Sequence, residues 1–198
     1  MTVYFHGSFG LNRRYMAGIL AASIERPKAT ADELAAPFGY KAPFTGRYRS
    51  WLHKTGLTVK GRKTQFTPRG EVVWRKDPKL ESPTTQWFMH HELCEDPERA
   101  EAWHFFSHEF AKKHSEFGID QLEDALAMKL MPHHPTHFGR GSSMIKVIAR
   151  KIVQCYTQEE ALGSLGILGA TADGGYKLGQ SVSHGPWDSP SSLAKSYK

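Results

Sequence analysis

Histidines are frequent in this sequence, and their side chains can bind metals or transfer protons near neutral pH. Eleven occur among 198 residues. Those that lie close together form three groups: His104 with His108; His133 and His134 with His137; and His90 and His91 with Glu92 and Cys94. A structural zinc site needs four converging ligands, and the chain has no C-x-x-C pair. No group has the H-E-x-x-H order of a zinc protease. The spacing therefore favours partly buried or surface histidines over a metal site.

Motifs for other kinds of catalysis are absent from the sequence. It contains no P-loop, no G-x-G-x-x-G turn after a strand and no G-x-S-x-G elbow. Asp173 and Lys177 come nearest to the acidic site of restriction-type nucleases, but no carboxylate stands beside the lysine. Cys94 and Cys155 lie on predicted apolar helix faces, which favours unreactive thiols in the core.

Positive charge is concentrated in one short segment. The chain has a net charge of +6, and residues 41–76 hold ten Lys and Arg against one acidic residue, Glu71. Residues 77–198 hold twelve basic and sixteen acidic residues, a net charge of −4. A local excess of this size indicates a polyanionic partner, although a charged run can also be solvated surface.

The composition excludes several classes of protein. With 39% hydrophobic and 23% charged residues, the chain has a globular composition and the length for a substantial core. Its two cysteines exclude a disulfide scaffold and favour a reducing compartment. The first residues lack a signal-peptide pattern, and no apolar run approaches the length of about eighteen residues that spans a membrane. We therefore expect a cytoplasmic protein without a membrane partner.

Local patterns assign helices to the first part of the chain. Apolar residues at helical spacing predict a helix over residues 11–25. Thr30 and Glu33 form a capping box that opens a second, short helix. After a turn that contains Pro43, the spacing predicts a third helix over residues 45–55.

A hairpin and a further helix complete the pattern. Residues 57–59 and 64–66 predict two short strands around a glycine-containing turn, and Pro68 stands at the favoured first position of a fourth helix. Two helices, a basic helix, a basic hairpin and a helix are the order of a winged helix-turn-helix. We assign that domain to residues 1–76.

The basic residues fall on the elements of a winged helix that contact DNA. In that architecture the third helix enters the major groove, where arginine can bind guanine edges, and the hairpin wing lies along the phosphates. The predicted DNA contacts lie on the third helix, on the wing and at the start of the fourth helix: Arg47, Arg49, Lys54, Lys60, Arg62, Lys63 and Arg69. Double-stranded DNA is the predicted partner, and a winged helix used for protein contacts is the alternative.

The remainder, residues 77–198, predicts a helical domain with an irregular tail. Pro78 and Pro83 mark the boundary with the winged helix. Apolar spacing predicts helices over 85–94, 97–114, 120–131 and 142–157, followed by a small hairpin near Gly174-Gly175 and a Ser/Pro-rich tail over 181–198. The expected fold class is mainly α with a small β-hairpin wing.

A series of residues after the wing follows the pattern of one protein family. The pattern is a glycine, Asp-Pro, a Leu-Glu-x-Pro-x-Thr stretch, an aromatic-rich helix with a histidine, and a Trp-containing helix. The matching residues are Gly70, Asp77, Pro78, Leu80, Glu81, Pro83, Thr85, Trp87, His90 and Trp103. In them the chain resembles a bacterial domain family of unknown function that is linked to DNA phosphorothioation gene clusters. The likeness extends over most of residues 5–130.

The resemblance implies a role in DNA modification and antiphage defence. For the SspB-type branch of the family it implies nicking of duplex DNA to assist sulfur incorporation, beside other proteins of the modification complex. Nicking requires water activated by a general base or a metal, here Mg²⁺ or Mn²⁺. The candidate catalytic residues are the acidic and histidine side chains after the wing: Glu81, His90, His91 and Glu92. The alternative is a non-enzymatic adaptor or transcriptional regulator that binds DNA while its acidic helical domain docks a partner protein.

Overall fold

Four helices occupy the first part of the chain in the computed structural model, which describes residues 3–61 and 63–179. They are α1 (Arg13–Glu25), α2 (Ala31–Ala35), α3 (Ala42–Lys54) and α4 (Pro68–Lys76), with a 3₁₀ turn over Ala36–Phe38 after α2. The side chain of Asn12 caps α1 by accepting a hydrogen bond from the backbone N–H of Tyr15, at 3.0 Å. The predicted capping box of Thr30 and Glu33 is present at the start of α2. The first, second and fourth of these helices lie where the local sequence signals place them.

The third helix begins earlier than predicted. Pro43 stands in the first turn of α3 and not in a turn before it, so that prediction is wrong. The first helical positions need no N–H donor, which lets a proline start the helix there. Asp32 strengthens this start, because its carboxylate accepts a hydrogen bond from the N–H of Ala42 at 2.8 Å.

The predicted hairpin between α3 and α4 is reduced to a single antiparallel bridge between Thr58 and Phe66. The bridge is formed by two hydrogen bonds, from the N–H of Val59 to the carbonyl of Gln65 at 2.9 Å and from the N–H of Thr67 to the carbonyl of Leu57 at 3.1 Å. Val59 is exposed, so the hairpin has little apolar face with which to hold longer strands against the core. The mainly helical class is confirmed, and the winged helix-turn-helix assignment stays a prediction.

Five helices and a small sheet form the second part of the described chain. The helices are α5 (Pro83–Glu95), α6 (Pro97–Phe105), α7 (Ile119–Leu130), α8 (Pro135–Phe138) and α9 (Ser143–Thr157). A π-helical turn over Phe106–Phe110 continues α6, so the helix predicted over 97–114 ends early. A 3₁₀ turn over Gly163–Leu165 follows α9.

The sheet has three antiparallel strands in the order β1-β3-β2. The strands are β1 (Glu116–Phe117), β2 (Leu168–Ala170) and β3 (Tyr176–Leu178). The hairpin predicted near Gly174-Gly175 is therefore confirmed as β2 and β3, whereas β1 had no strand signal of its own. The tail predicted over 181–198 lies outside the described residues.

One core is shared by residues from both sides of the predicted domain boundary at residue 76. Phe5 contacts Trp51 of α3 edge-on, with ring centroids 4.8 Å apart, and Trp103 of α6 lies 5.6 Å from Phe5 and 5.3 Å from Trp51. Because α3 and α6 bury their largest side chains against each other, the position of α3 depends on the helices that follow it. The division into two domains stays a prediction.

Arg13 connects α1 by hydrogen bonds to two loops that are distant in the sequence. Its guanidinium donates hydrogen bonds to the carbonyls of Ala161 at 2.6 Å, Leu80 at 3.0 Å and Glu159 at 2.5 Å. Leu80 is fully buried in a left-handed conformation with φ of 59°, which this contact helps to hold. Within the described ranges, no helix is both long enough and apolar enough to cross a membrane.

Candidate nucleic-acid interface

A groove of about 600 Å³ runs along one side of α3. We call it the cationic groove; it is bounded by Tyr4 and Phe5, by residues 46–54 of α3, and by Lys60 and Gly61. Its cationic side chains are Arg47, Arg49, His53, Lys54 and Lys60, of which His53 is cationic only when protonated. None of the described residues that line it is acidic. Four of the seven predicted DNA contacts therefore lie in one place.

The helical repeat of α3 explains why its cations lie together. Tyr48, Trp51 and Leu52 are buried and fix the inner face of the helix. Arg47 and Lys54 are separated by two turns and therefore fall on one stripe beside that face. The buried aromatic residues thus set the rotation of α3, and that rotation turns the stripe toward the groove.

Arg47 is held by the N-terminal segment. Its Nη1 donates a hydrogen bond to the carbonyl of Phe5 at 2.9 Å, and its Nε lies 2.8 Å from where a Cβ on Gly7 would be. Gly7 has a φ of 59°, in the region that favours glycine. The segment before α1 therefore fixes the guanidinium along the groove.

Lys54 lies at the bottom of the groove. The residue is 8% exposed, and its ammonium sits 5.5 Å from the centroid of the Phe5 ring, a cation–π contact. Burial, and then the positive charges of Lys60 and Arg99, lower the pKa of Lys54, and the negative charge of Asp96 offsets only part of this. Several positive charges therefore lie close together around Lys54, and an anion that bound there would reduce their mutual repulsion.

Two neighbours of Lys54, His53 and Arg49, also have lowered pKa values. Burial is also the main cause that lowers the pKa of His53, whose Nδ1 lies 3.2 Å from the carbonyl of Thr58. Burial lowers the pKa of Arg49, and its buried Nε has no hydrogen-bond partner among the described residues. Donors without acceptors in a concave cationic surface are what a phosphate oxygen can satisfy.

Two of the remaining predicted DNA contacts, Lys63 and Arg69, lie outside the groove. Lys63 is exposed and does not line the groove, and Arg62 lies outside the described residues. The side chain of Arg69 is 70% exposed and forms an ion pair with Glu92 at 3.2 Å. The structure therefore brings together the contacts on α3 and Lys60, but not Lys63 or Arg69.

Glu92 is placed between two arginines. One carboxylate oxygen accepts from Arg69 of α4, and the other contacts Arg99 of α6. The side chain of Glu92 is 14% exposed, so little of the carboxylate is open to solvent. This arrangement joins α4, α5 and α6 through one carboxylate.

His90 points into the core. The residue is 3% exposed, and its Nδ1 lies 3.0 Å from the hydroxyl of Tyr156, which is also 3.3 Å from the thiol of Cys94. Burial lowers the pKa of His90 to about 3 and raises that of Cys94 to about 11. A neutral histidine and a protonated thiol in a packed core match the expectation of an inert cysteine.

The four candidate catalytic residues do not converge. Successive residues of a helix point about 100° apart, so His90, His91 and Glu92 face three directions. His91 pairs with Glu95 at 3.1 Å. Glu81 lines a separate cavity of about 440 Å³ beside Arg13. Their assignment as catalytic residues stays a prediction.

The other histidine groups lie near the surface. The rings of His104 and His108 are 4.4 Å apart, and those of His134 and His137 are 4.1 Å apart. His133 pairs with Glu101 at 2.8 Å. Within residues 3–61 and 63–179, no three His, Cys, Asp or Glu side chains are arranged to hold a metal ion.

Three groove residues were missed by sequence reasoning. His53 stands inside the basic segment, and counting histidines with the lysines and arginines would have found it. Tyr4 and Phe5 precede the segment by some forty residues of chain, and only the tertiary packing of Phe5 on Trp51 brings them there. No local pattern signals that contact.

Comparisons with known proteins agree with this fold. Two crystal structures of SspB, one of them magnesium-bound, superpose with TM-scores of 0.67 and 0.68, at 16% and 14% identity. Each match covers 89% of this chain but 59% of the SspB chain, so this protein spans about three fifths of that length. No curated protein matches the sequence. The family described as protein of unknown function DUF4007 matches residues 47–167, more than half of the chain. The chain therefore belongs to the DUF4007 family.

Proposed function

We propose that this protein binds DNA through the cationic groove, as a cytoplasmic component of a phosphorothioation-type modification and defence system. The observation that carries the proposal is that one groove, whose described lining has no acidic residue, is lined by four cationic side chains: Arg47, Arg49, Lys54 and Lys60. The SspB-like fold and the family resemblance support the assignment to that kind of system.

The chemistry of the groove suits phosphate. The described residues that line the groove carry no negative charge, and the buried Nε of Arg49 lacks an acceptor within the described chain. Phosphate oxygens supply both negative charge and a hydrogen-bond acceptor. Each phosphate neutralised by Lys or Arg also releases condensed counterions from the DNA. Binding through this groove is therefore expected to weaken steeply as salt rises.

A charge-reversal experiment tests the proposal. Fluorescence anisotropy with a labelled duplex and with one of its strands measures affinity across a salt series. The double variant Arg49→Glu/Lys60→Glu is expected to weaken binding at least tenfold and to lower the salt slope by about two, because two phosphate contacts are lost. Arg26→Glu/Lys28→Glu is the matched control, since these exposed cations line a different cavity. Binding to neither DNA, or equal losses in both variants, would refute the proposal.

Nicking of the bound DNA is the second candidate activity. It is supported by the family resemblance and the SspB-like fold, and Glu92 is linked to the groove through Arg99, whose charge acts on Lys54 and His53. Among the described residues, no three His, Cys, Asp or Glu side chains converge on one point, and we assign no step to the implied Mg²⁺ or Mn²⁺. Supercoiled plasmid incubated with Mg²⁺, with Mn²⁺ and with a chelator tests the activity directly. Formation of open-circular DNA supports nicking; its absence in all three leaves DNA binding alone.

A partner protein would explain a binding function without cleavage. Residues 77–198 carry a net charge of −4, in contrast to the basic segment before them. An adaptor of this kind would hold DNA in the groove while its helical part docks an enzyme of the modification complex. Co-purification with such an enzyme, combined with no cleavage by the isolated protein, is the expected result for the adaptor.

A further inference from the structure

The shape of the groove bears on which form of DNA enters it. A recognition helix reads duplex DNA by projecting its side chains from a convex surface into a major groove about 12 Å wide. In α3 the basic stripe does not project in this way. Arg47 is bonded to the carbonyl of Phe5, and Lys54 is buried beneath the Phe5 ring.

Three separate parts of the chain line the groove beside α3. Tyr4 and Phe5 come from the segment before α1, and Lys60 and Gly61 come from the loop after α3. The enclosed volume of about 600 Å³ lies within the roughly 300–1,000 Å³ typical of pockets that hold small molecules. Single-stranded DNA is narrow enough to enter such a space, whereas a duplex would contact only its edges.

An aromatic ring stands among the cations. Tyr4 is half-buried, and its ring contacts the buried His6 ring edge-on, with centroids 5.0 Å apart. His6 in turn packs against Trp51 and Trp103, so the ring of Tyr4 rests on the core. A supported aromatic ring beside cations is the combination that binds single-stranded nucleic acid, because bases stack while phosphates pair.

We infer that the cationic groove takes an unpaired stretch of DNA, with a base stacked on Tyr4 and phosphates at Arg49 and Lys60. This inference rests on the proposed function and specifies its ligand. It also changes the role of α3, which forms the floor of a strand-binding groove and is not inserted into a major groove.

Three labelled DNAs of related sequence test the inference: a fully paired duplex, one of its strands, and the duplex with a central unpaired bubble. The wild-type protein is expected to bind the strand and the bubble at least tenfold more tightly than the paired duplex. Tyr4→Leu, which removes the stacking face, is expected to weaken strand binding about tenfold and duplex binding by a smaller factor. Tyr4→Phe keeps the ring and is expected to restore wild-type affinity.

A measurement on the wild-type protein covers the case in which Tyr4→Leu does not fold. A strand that contains 2-aminopurine is titrated with protein, and stacking on an aromatic ring is expected to quench its fluorescence. Equal affinity for duplex and strand with no quenching would overturn the inference. If Arg49→Glu/Lys60→Glu still weakened binding in that case, DNA binding through the groove would stand without it. Absence of binding to all three DNAs would instead overturn the proposed function.

Discussion

The Nη1 of Arg47 donates a hydrogen bond of 2.9 Å to the backbone carbonyl of Phe5, which lies 42 residues earlier in the chain. This bond connects the segment before α1 to the basic stripe of α3. The wall of the groove and the orientation of one of its cations therefore depend on the same contact. Changes in the N-terminal segment should consequently alter DNA binding without changing the charge of the protein.

Gly7→Ala tests that dependence. A Cβ at this position would lie 2.8 Å from Nε of Arg47, and the φ of 59° is unfavourable for alanine by about 1–2 kcal/mol. We expect the free energy of unfolding in urea to fall by about that amount and the affinity for DNA to fall with it. Gly169→Ala on β2 is the control, because nothing lies within 4 Å of its added Cβ and β2 contributes no described residue to the groove. Equal stability of both variants would contradict the prediction.

Gly70→Ala tests the close approach of α4 to the loop after α3. An added Cβ would lie 1.9 Å from the carbonyl oxygen of Leu57, a backbone atom that cannot rotate away. Overpacking of this kind typically costs about 1–3 kcal/mol, and we expect a loss at the upper end, measured by urea unfolding. Gly169→Ala, with nothing within 4 Å of its added Cβ, is expected to change stability by no more than about 0.5 kcal/mol. A Gly70→Ala protein as stable as wild type would show that the two segments are less closely packed.

The features that sequence reasoning found are those with local causes. The capping box of Thr30 and Glu33 and the proline that opens α4 act within a single helical turn, so a short stretch of sequence contains the whole signal. The charge excess over residues 41–76 located the cations of α3 and Lys60 for a similar reason. In that segment, residues that are close in the sequence are also close in space.

The features that it missed depend on tertiary packing. Tyr4 reaches the groove because Phe5 packs against Trp51 and Trp103, a contact between three distant parts of the chain. The burial of His90 depends on Tyr156 of α9 lying opposite it. Apolar periodicity on α5 does not distinguish a buried histidine from an exposed one, because polar and apolar residues occur on every side of that helix.

Acid should destabilise the protein through His6. This residue is fully buried, its Nδ1 contacts the carbonyl of Gly7 at 2.7 Å, and its Nε2 has no hydrogen-bond partner among the described residues. Burial lowers the pKa of His6 to about 4, from an ordinary value of 6.5. Between these pH values the unfolded chain binds a proton that the folded protein does not, so stability falls as the pH decreases.

The expected loss from this histidine is about 2 kcal/mol between pH 8 and pH 5. Urea unfolding over that range measures it for wild type and for His6→Phe, which replaces the ring by one that cannot be protonated. The variant should show a shallower dependence on pH, with the difference confined to the region below pH 6.5. Parallel curves for the two proteins would show that His6 is protonated in the folded state as readily as in the unfolded state.

The variant Glu92→Gln distinguishes a positioning role of this residue from a catalytic one. Its carboxylate contacts Arg69 and Arg99, and the charge of Arg99 acts on Lys54 in the groove. Glu92→Gln is expected to lower the free energy of unfolding by about 1 kcal/mol, because two ion pairs are lost. DNA affinity at low salt is expected to rise about two- to fivefold, because a negative charge beside the groove is removed.

The control for that variant is Glu123→Gln, the same change of charge on α7, which contributes no residue to the groove. It should leave both stability and affinity close to wild type, as measured by urea unfolding and fluorescence anisotropy. A catalytic Glu92 would give a different pattern, in which plasmid nicking is lost while affinity and stability are retained. Because the structure places the carboxylate between two arginines with 14% of the side chain exposed, we expect tighter binding and lower stability in Glu92→Gln.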